Sequence, residues 1–175
     1  MNTTFSTDST VNTTPLKIDS ALSAQVQVLG DSLRAKGWSV SSAESCTGGG
    51  VAFAFTSVSG SSDWFNQSWI TYSNDAKKRT LGVSEQTLQE FGAVSKQTVK
   101  EMAEGVRGNS GAQLVVTISG IAGPGGGSAE KPVGTVWFGF MCGAMSEQIK
   151  QVFSGDRDEV RQHAIAFAMT HLVKM

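Results

Sequence analysis

The stretch 41-SSAESCTGGGV-51 decides the fold, because it joins a strand-like segment to a helical one through a run of small residues. Large apolar and small residues alternate over 38–43, which predicts a short strand. The segment 51–58 is apolar or small at nearly every position, which predicts a buried helix. A strand that leads directly into a buried helix is typical of an α/β domain.

Ser45, Cys46 and Thr47 lie at this junction, directly before the glycines. A helix N-terminus offers free backbone N–H groups and a positive dipole end, and glycines let a ligand approach them closely. A serine placed there can act as a nucleophile beside an oxyanion hole. The alternative is that Ser45 or Thr47 only caps the helix. Cys46 is a competing nucleophile, but we favour its alternative role as a small buried hydrophobe.

Composition limits the class of protein. The chain has 175 residues, of which 39% are hydrophobic and 17% charged, and this predicts one globular domain over residues 18–175. Residues 1–17 are rich in Thr and Ser with few large apolar side chains, so we expect a disordered tail and no signal peptide. A net charge of −1 gives no reason to expect nucleic acid or an acidic membrane as a partner. No apolar run approaches the ~20 residues of a membrane helix.

Cysteines and histidines are few in this chain. The two cysteines are far apart, which indicates reduced thiols in a cytoplasmic protein. No group of His, Cys, Asp and Glu has metal-ligand spacing, so we expect neither a metal nor another cofactor. His163 and His171 both fall in the last predicted helix, and His171 lies on its apolar face, which favours a core role. A Ser-His-Asp triad therefore has little support.

Hydrophobic periodicity outlines the remaining elements. A first helix is predicted from an apolar face that begins at Leu22, with Asp19 or Ser20 as its cap and Gly37 as its end. Further strands are predicted at 69–72, 114–118, 134–142 and 147–153, and further helices after caps at 74 or 75, 84, 95 and 156. Helices separate the early strands, whereas the last two strands look hairpin-connected. The pattern therefore predicts an α/β layered domain with a mixed sheet.

A lysine can replace histidine as the base for Ser45 if burial or neighbouring cations lower its pKa. Lys77 is followed by Lys78 and Arg79, and Tyr72 precedes it by five residues. A phenol at Tyr72 can relay a proton or hold a substrate. The alternative is that the three cations form a solvated basic face.

Two polar segments near the C-terminus could serve a ligand. The loop 119-SGIAGPGGGSAEKP-132 lacks the Gly-Lys-Ser/Thr ending of a phosphate loop, and Pro124 interrupts any dinucleotide fingerprint. It can form a backbone nest for an anion or an amide, or serve only as a structural crossover. Arg157 and Arg161 are spaced i, i+4 at the start of the last helix and suit a phosphate together with the helix N–H groups. The alternative is surface pairing with their acidic neighbours.

Singly these motifs are weak, but several occur in a specific order. They are AESCTGG at 43–49, GSS at 60–62, TYSNDAK at 71–77, LGV at 81–83, GAVS at 92–95, SGIAGPGGGSAEKPVGTVW at 119–137 and FSGDRDEVR at 153–161. Together they resemble the CinA C-terminal domain family, also known as the nicotinamide mononucleotide deamidase (PncC) family. The resemblance runs from about the first helix to the C-terminus.

The resemblance implies a three-layer α/β/α sandwich with a mixed, largely parallel sheet, which forms a homodimer or higher homo-oligomer. It also implies hydrolysis of the carboxamide of nicotinamide mononucleotide to nicotinic acid mononucleotide and ammonia, in pyridine-nucleotide (NAD) recycling. The family's nucleophilic serine matches Ser45, and its tyrosine and lysine match Tyr72 and Lys77. We expect the other substrate-binding and oxyanion residues to be Cys46, Thr47, Gly48, Gly49, Gly120, Ala122, Gly123, Gly125, Arg157 and Arg161.

Our hypothesis is a Ser/Lys acyl-enzyme mechanism, with Tyr72 as a proton relay or an orienting group. A second hypothesis is a non-catalytic nucleotide-binding or interaction module, against which the intact Ser45, Tyr72 and Lys77 argue. A third is an amidase or esterase for a different small substrate. Ammonia release from nicotinamide, its riboside and its mononucleotide distinguishes the three.

Overall fold

The computed structural model describes residues 18–175. This part of the chain contains one five-stranded sheet, with the strands in the order β2-β1-β3-β4-β5. The strands are β1 Val40–Glu44, β2 Phe65–Ile70, β3 Leu114–Gly120, β4 Thr135–Cys142 and β5 Met145–Val152. β1 is parallel to β2 and β3, whereas β4 is antiparallel to both β3 and β5. The predicted mixed sheet is confirmed, with parallel pairing confined to the half that contains β2, β1 and β3. The predicted tail at 1–17 lies outside the described residues.

Helices cover both faces of the sheet. They are α1 Ser20–Lys36, α2 Gly50–Thr56, α3 Asn74–Leu81, α4 Glu85–Phe91, α5 Lys96–Ser110 and α6 Arg157–Leu172. α1, α2 and α6 pack together on one face, and α3, α4 and α5 pack together on the other. The three-layer α/β/α arrangement is therefore confirmed.

Strand β3 shows why the central apolar run 114–118 was readable from sequence. Leu114, Val116 and Ile118 belong to the core beneath α1, α2 and α6, whereas Val115 belongs to the core beneath α3, α4 and α5. Because β3 is covered on both faces, apolar residues are needed at successive positions and not only at alternate ones.

The ends of several helices are those predicted. The Asp19 side chain accepts a hydrogen bond from Leu22 N at the start of α1, and Gly37 adopts a left-handed conformation at its end. Ser84 and Ser95 cap α4 and α5 in the same way as Asp19 caps α1. For α3, however, the cap is Ser73, whose hydroxyl accepts from Ala76 N. The predicted cap at 74 or 75 is therefore wrong by one or two residues.

Strand β2 begins four residues earlier than predicted and ends before Thr71. Its pairing with β1 runs from Phe65 opposite Val40 to Ile70 opposite Glu44. β2 is an edge strand with half-exposed side chains, so its polar residues 66–68 do not carry the apolar signal that marks a central strand. The consequence for the site is that residues 71–73 form a loop at the carboxyl end of β2.

Three loops meet at one edge of the sheet, because β1, β2 and β3 are parallel and their carboxyl ends lie side by side. These loops follow Glu44, Ile70 and Gly120. In open α/β sheets this edge is where ligands bind.

Candidate active site

Ser45 is the first residue after β1. Its backbone N–H donates to Ile118 O at 3.0 Å, so the adjacent strand β3 fixes its position. Its side chain is buried, with 8% of the residue exposed, and Oγ lies 3.1 Å from Lys77 Nζ. α2 begins five residues later, and its N-cap is Gly49, which has no side-chain capping bond. The alternative that Ser45 or Thr47 caps this helix is therefore wrong.

Glu44 holds the start of α2, and this residue was missed in the sequence. Its fully buried carboxylate accepts hydrogen bonds from Thr47 Oγ1 at 2.7 Å and from the N–H groups of Gly49, Val51 and Ala52 at 3.0, 3.1 and 2.9 Å. An anion at a helix N-terminus is favoured by the dipole and by the free N–H groups. Here the chain itself supplies that anion, so these N–H groups are unavailable to a substrate. The signal in the sequence was an acidic residue shortly before the helix.

The turn between Ser45 and α2 retains two free donors. Gly48 N–H donates to Ser45 O at 3.1 Å, and Gly49 N–H is held by the buried carboxylate. Within residues 18–175, the N–H groups of Cys46 and Thr47 have no hydrogen-bond acceptor in another residue. Of the four residues predicted to supply an oxyanion hole, Cys46 and Thr47 are therefore the ones whose N–H groups are available.

Lys77 lies in the first turn of α3 with only 1% of the residue exposed. Besides Ser45 Oγ, its Nζ lies 2.8 Å from Thr71 O and 3.4 Å from Tyr72 O. Burial disfavours the charged ammonium and lowers the pKa of Lys77 from 10.5 to about 8. No carboxylate of the described chain pairs with it.

The two cations after Lys77 point away from the site. Lys78 pairs with Glu85, and Arg79 pairs with Asp75. Both side chains are at least one-third exposed. The solvated basic face is thus a correct description of Lys78 and Arg79 but a wrong one for Lys77.

When Lys77 is neutral, its bonding capacity still satisfies all three neighbours of Nζ. A neutral lysine has two N–H donors and one lone pair. The carbonyls of Thr71 and Tyr72 can only accept, so they take both N–H groups. The lone pair is then left for the hydroxyl proton of Ser45, the third neighbour. The arrangement suits a lysine that removes this proton.

Tyr72 does not bring its phenol to Ser45 or Lys77. The residue is 59% exposed, and its hydroxyl accepts a hydrogen bond from Arg157 Nη2 at 3.1 Å. Only its backbone carbonyl contacts Lys77. The phenol therefore lies at the mouth of the site, where it links the loop after β2 to the start of α6.

Two cavities adjoin each other at this site. The inner cavity, of about 220 Å³, is lined by Ser45, Cys46, Tyr72, Lys77, Ala93, Val94, Ser119, Gly120, Ala122 and Arg157. The outer cavity, of about 550 Å³, shares Ala122 and Arg157 with it. Ala93, Val94 and Ser119 were not among the predicted site residues, although they fall in the quoted motifs GAVS and SGIAGPGGGSAEKPVGTVW. Ala93 and Val94 carry no reactive group, and Ser119 lies near the end of β3. Of the predicted loop residues, Gly120 and Ala122 line a cavity, whereas Gly123 and Gly125 line neither cavity in the described part of the chain.

Arg157 and Arg161 share a face of α6 but have different neighbours. Arg157 Nη1 donates to Gly123 O at 2.9 Å, so Gly123 serves the site through its carbonyl. Arg161 Nη2 donates to Thr47 O at 3.1 Å, and Nη1 lies 3.5 Å from Asp158. Arg157 thus faces the cavities, and Arg161 supports the turn that follows Ser45.

The start of α6 is also closed by the chain's own side chains. The Asp156 carboxylate accepts from the N–H groups of Asp158 and Glu159, and the Glu159 side chain accepts from Asp156 N. The expectation that the helix N–H groups bind a phosphate is therefore wrong for those of Asp158 and Glu159.

Neither cysteine chemistry nor histidine chemistry has a place at this site. Burial raises the pKa of the Cys46 thiol to about 11, so it is not a thiolate near neutral pH. His171 Nε2 lies 3.0 Å from Glu147 Oε2, and its ring packs on Phe140. His163 packs beside Phe153. Within residues 18–175, no group of three or more His, Cys, Asp and Glu residues is placed to hold a metal ion.

Comparison with known proteins adds relatives of similar length. The nicotinamide-nucleotide amidohydrolase PncC of Enterobacter agglomerans is 57% identical over 143 residues, which cover 81% of this chain and 87% of that protein. The protein of the same name from Escherichia coli K12 is 51% identical over 156 residues, which cover 88% of this chain and 94% of that protein. Among residues 18–175, no helix combines the length and hydrophobicity needed to span a membrane.

Solved structures agree with the fold. One of them is the crystal structure of the competence/damage inducible protein CihA from Agrobacterium tumefaciens, which superposes with a TM-score of 0.88 at 38% sequence identity. The match covers 91% of this chain and 98% of that one. The model of the CinA C-terminal domain family matches residues 22–175. With nearly the whole described chain inside that match, the protein belongs to the CinA C-terminal domain family.

Proposed function

We propose that this protein is a nicotinamide-nucleotide amidase, which hydrolyses the carboxamide of nicotinamide mononucleotide to nicotinic acid mononucleotide and ammonia. The observation that carries the proposal is the 3.1 Å distance between Lys77 Nζ and Ser45 Oγ at a buried lysine whose pKa is lowered to about 8. The choice of substrate is supported by relatives named nicotinamide-nucleotide amidohydrolase, at 51–57% identity.

In the first half of the reaction, Ser45 Oγ attacks the carboxamide carbon while its proton passes to Lys77 Nζ. Negative charge develops on the carboxamide oxygen, and the free N–H groups of Cys46 and Thr47 stabilise it. The C–N bond then breaks, and Lys77 returns the proton to the leaving nitrogen, which departs as ammonia. A serine ester of the pyridine carboxylate remains.

In the second half, water attacks this ester. Lys77 accepts a proton from the water and passes it to Ser45 Oγ as the C–O bond breaks. The acid product leaves and the starting state is restored. Tyr72 acts as an orienting group at the mouth, since its hydroxyl bonds to Arg157 and not to the base.

The experiment is ammonia release from nicotinamide mononucleotide by the wild type and three variants. Ser45→Ala and Lys77→Met each lose at least ~10²-fold in kcat, the scale of a removed nucleophile or base. Lys78→Met is the matched control, because it removes a neighbouring lysine that pairs with Glu85 outside the cavities. Wild-type turnover in Ser45→Ala would overturn the proposal. Tight binding of the mononucleotide by the wild type without turnover would favour a non-catalytic module instead.

Two wider features belong to the same proposal. The reaction takes place in the cytoplasm as part of NAD recycling, and the chain acts as a homo-oligomer. The oligomeric state is tested by light scattering on the purified chain, where a monomer mass would contradict it.

A further inference from the structure

We propose that the two arginines of α6 have separate tasks: Arg157 binds the phosphate of the substrate, and Arg161 positions the turn that carries the nucleophile. The inference rests on the proposed function and names the part of that site which reads the nucleotide. The two guanidinium groups differ in the cavities that they line, in their hydrogen-bond partners and in the carboxylates near them.

Arg157 faces both cavities. It lines the inner cavity together with Ser45 and Lys77, and it also lines the outer cavity beyond Ala122. A substrate whose carboxamide reaches Ser45 in the inner cavity must extend past this guanidinium into the outer one. The side chain therefore stands where the non-reacting part of the substrate passes.

The guanidinium of Arg157 has an unpaired charge and unbonded N–H donors in the described part of the chain. Two of its N–H groups donate to neutral oxygens, Gly123 O at 2.9 Å and the Tyr72 hydroxyl at 3.1 Å. A guanidinium has five N–H donors, so three remain. Within residues 18–175, no carboxylate lies within 4 Å of it. An arginine fixed by neutral partners and lacking a counter-ion suits an anion such as a phosphate monoester.

Other groups around the outer cavity do not compete for the phosphate. At the start of α6, the N–H groups of Asp158 and Glu159 are taken by the Asp156 carboxylate. Asp156 and Asp158 also line this cavity, where their carboxylates can accept from ribose hydroxyls but repel a phosphate. Arg157 is the one cationic residue among the residues that line the two cavities besides the buried Lys77.

Arg161 lies one helical turn further along and differs from Arg157 in its position and in its counter-ion. It lines neither cavity of the described chain, and Asp158 offsets its charge at 3.5 Å. Its Nη2 donates to Thr47 O at 3.1 Å. This carbonyl belongs to the turn whose Cys46 and Thr47 N–H groups form the proposed oxyanion hole. Fixing it orients the donors without touching the substrate.

The experiment compares two substrates that differ only in the phosphate, nicotinamide mononucleotide and nicotinamide riboside. Arg157→Met lowers kcat/KM for the mononucleotide about 10- to 100-fold, mainly through KM, and lowers it for the riboside by less than about 3-fold. Arg161→Met, the matched control on the same helix, lowers kcat for both substrates by the same factor. Arg161→Lys restores part of this loss, because a lysine can still donate to Thr47 O.

A binding measurement covers the case in which turnover of the riboside is too slow to detect. In the Ser45→Ala background, Arg157→Met weakens calorimetric binding of the mononucleotide about 10- to 100-fold and leaves riboside binding within about 3-fold. Equal weakening of both ligands by Arg157→Met, or a change in their ratio caused by Arg161→Met, would overturn the inference. Failure of the proposed function looks different, because the wild type would then release ammonia from neither compound.

Discussion

Raising the pH from 6 to 9 is expected to increase kcat/KM for nicotinamide mononucleotide by nearly two orders of magnitude. The physical reason is Lys77, whose burial beside Ser45 lowers its pKa to about 8. Only the neutral amine can remove the Ser45 proton. Its fraction is ~1% at pH 6, ~10% at pH 7, ~50% at pH 8 and ~90% at pH 9 for a group with this pKa. The rate therefore rises nearly tenfold from pH 6 to 7 and more slowly above pH 7.

The assay is initial-rate ammonia release at low substrate concentration from pH 6 to 9.5, at constant ionic strength. At low substrate concentration the profile reports groups of the free enzyme and substrate. The phosphate of the substrate also titrates near pH 6, so the riboside is run in parallel as a substrate without this group. Lys78→Met is the protein control and retains the wild-type profile, because Lys78 is partly exposed and pairs with Glu85.

Two results would refute this reasoning. A profile that is flat between pH 6 and 9 would mean that no group with a pKa near 8 must lose its proton. A rate that falls as the pH rises would mean that Lys77 acts as its ammonium form. Either result leaves the fold untouched and removes Lys77 as the base.

Three further predictions concern stability and the turn. Glu44→Gln is expected to lower the free energy of unfolding by about 2–4 kcal/mol and to lower kcat, because an amide nitrogen cannot accept from the N–H groups that the carboxylate now holds. Chemical denaturation measures the stability and steady-state kinetics measures kcat. Unchanged stability would contradict the prediction. Folding lowers the pKa of Lys77 from 10.5, so the folded state disfavours its charged form: the cost is fully present below pH 8 and disappears as the pH rises to 10.5. The stability of the wild type relative to Lys77→Met is therefore expected to rise by at most about 3 kcal/mol between these pH values, and urea unfolding that shows a constant difference would count against it. Gly105→Ala is expected to destabilise the protein by more than about 2 kcal/mol, since a Cβ there would lie 2.0 Å from Leu81 O; an unchanged melting temperature would show that α3 and α5 can separate freely.

The sequence predicted those parts of the fold that depend on local or periodic signals. The apolar run in β3, the serine caps of α4 and α5 and the hairpin of β4 and β5 are all of this kind. Strand β2 was misplaced because an edge strand needs few apolar residues, and its position is set by pairing with β1. Pairing between distant segments has no local signature.

The candidate site was predictable in its residue types but less so in its geometry. Ser45 and Lys77 were selected, yet nothing local separates the buried Lys77 from the partly exposed Lys78 beside it. Only the packing of α3 against the sheet decides which of two adjacent lysines enters the core. Glu44 was overlooked because its role depends on the path of the chain through the turn, which brings the helix N–H groups back onto its carboxylate.

The position of Glu44 has a consequence for the end of the catalytic cycle. The proposed reaction turns a neutral amide into a carboxylate, so the product carries one more negative charge than the substrate. A vacant helix N-terminus beside Ser45 would hold that new charge and retain the product. The Glu44 carboxylate fills that place permanently and directs its own negative charge at the same helix end. The helix N-terminus therefore offers no anion-binding site for the product carboxylate, and this favours product release over product inhibition.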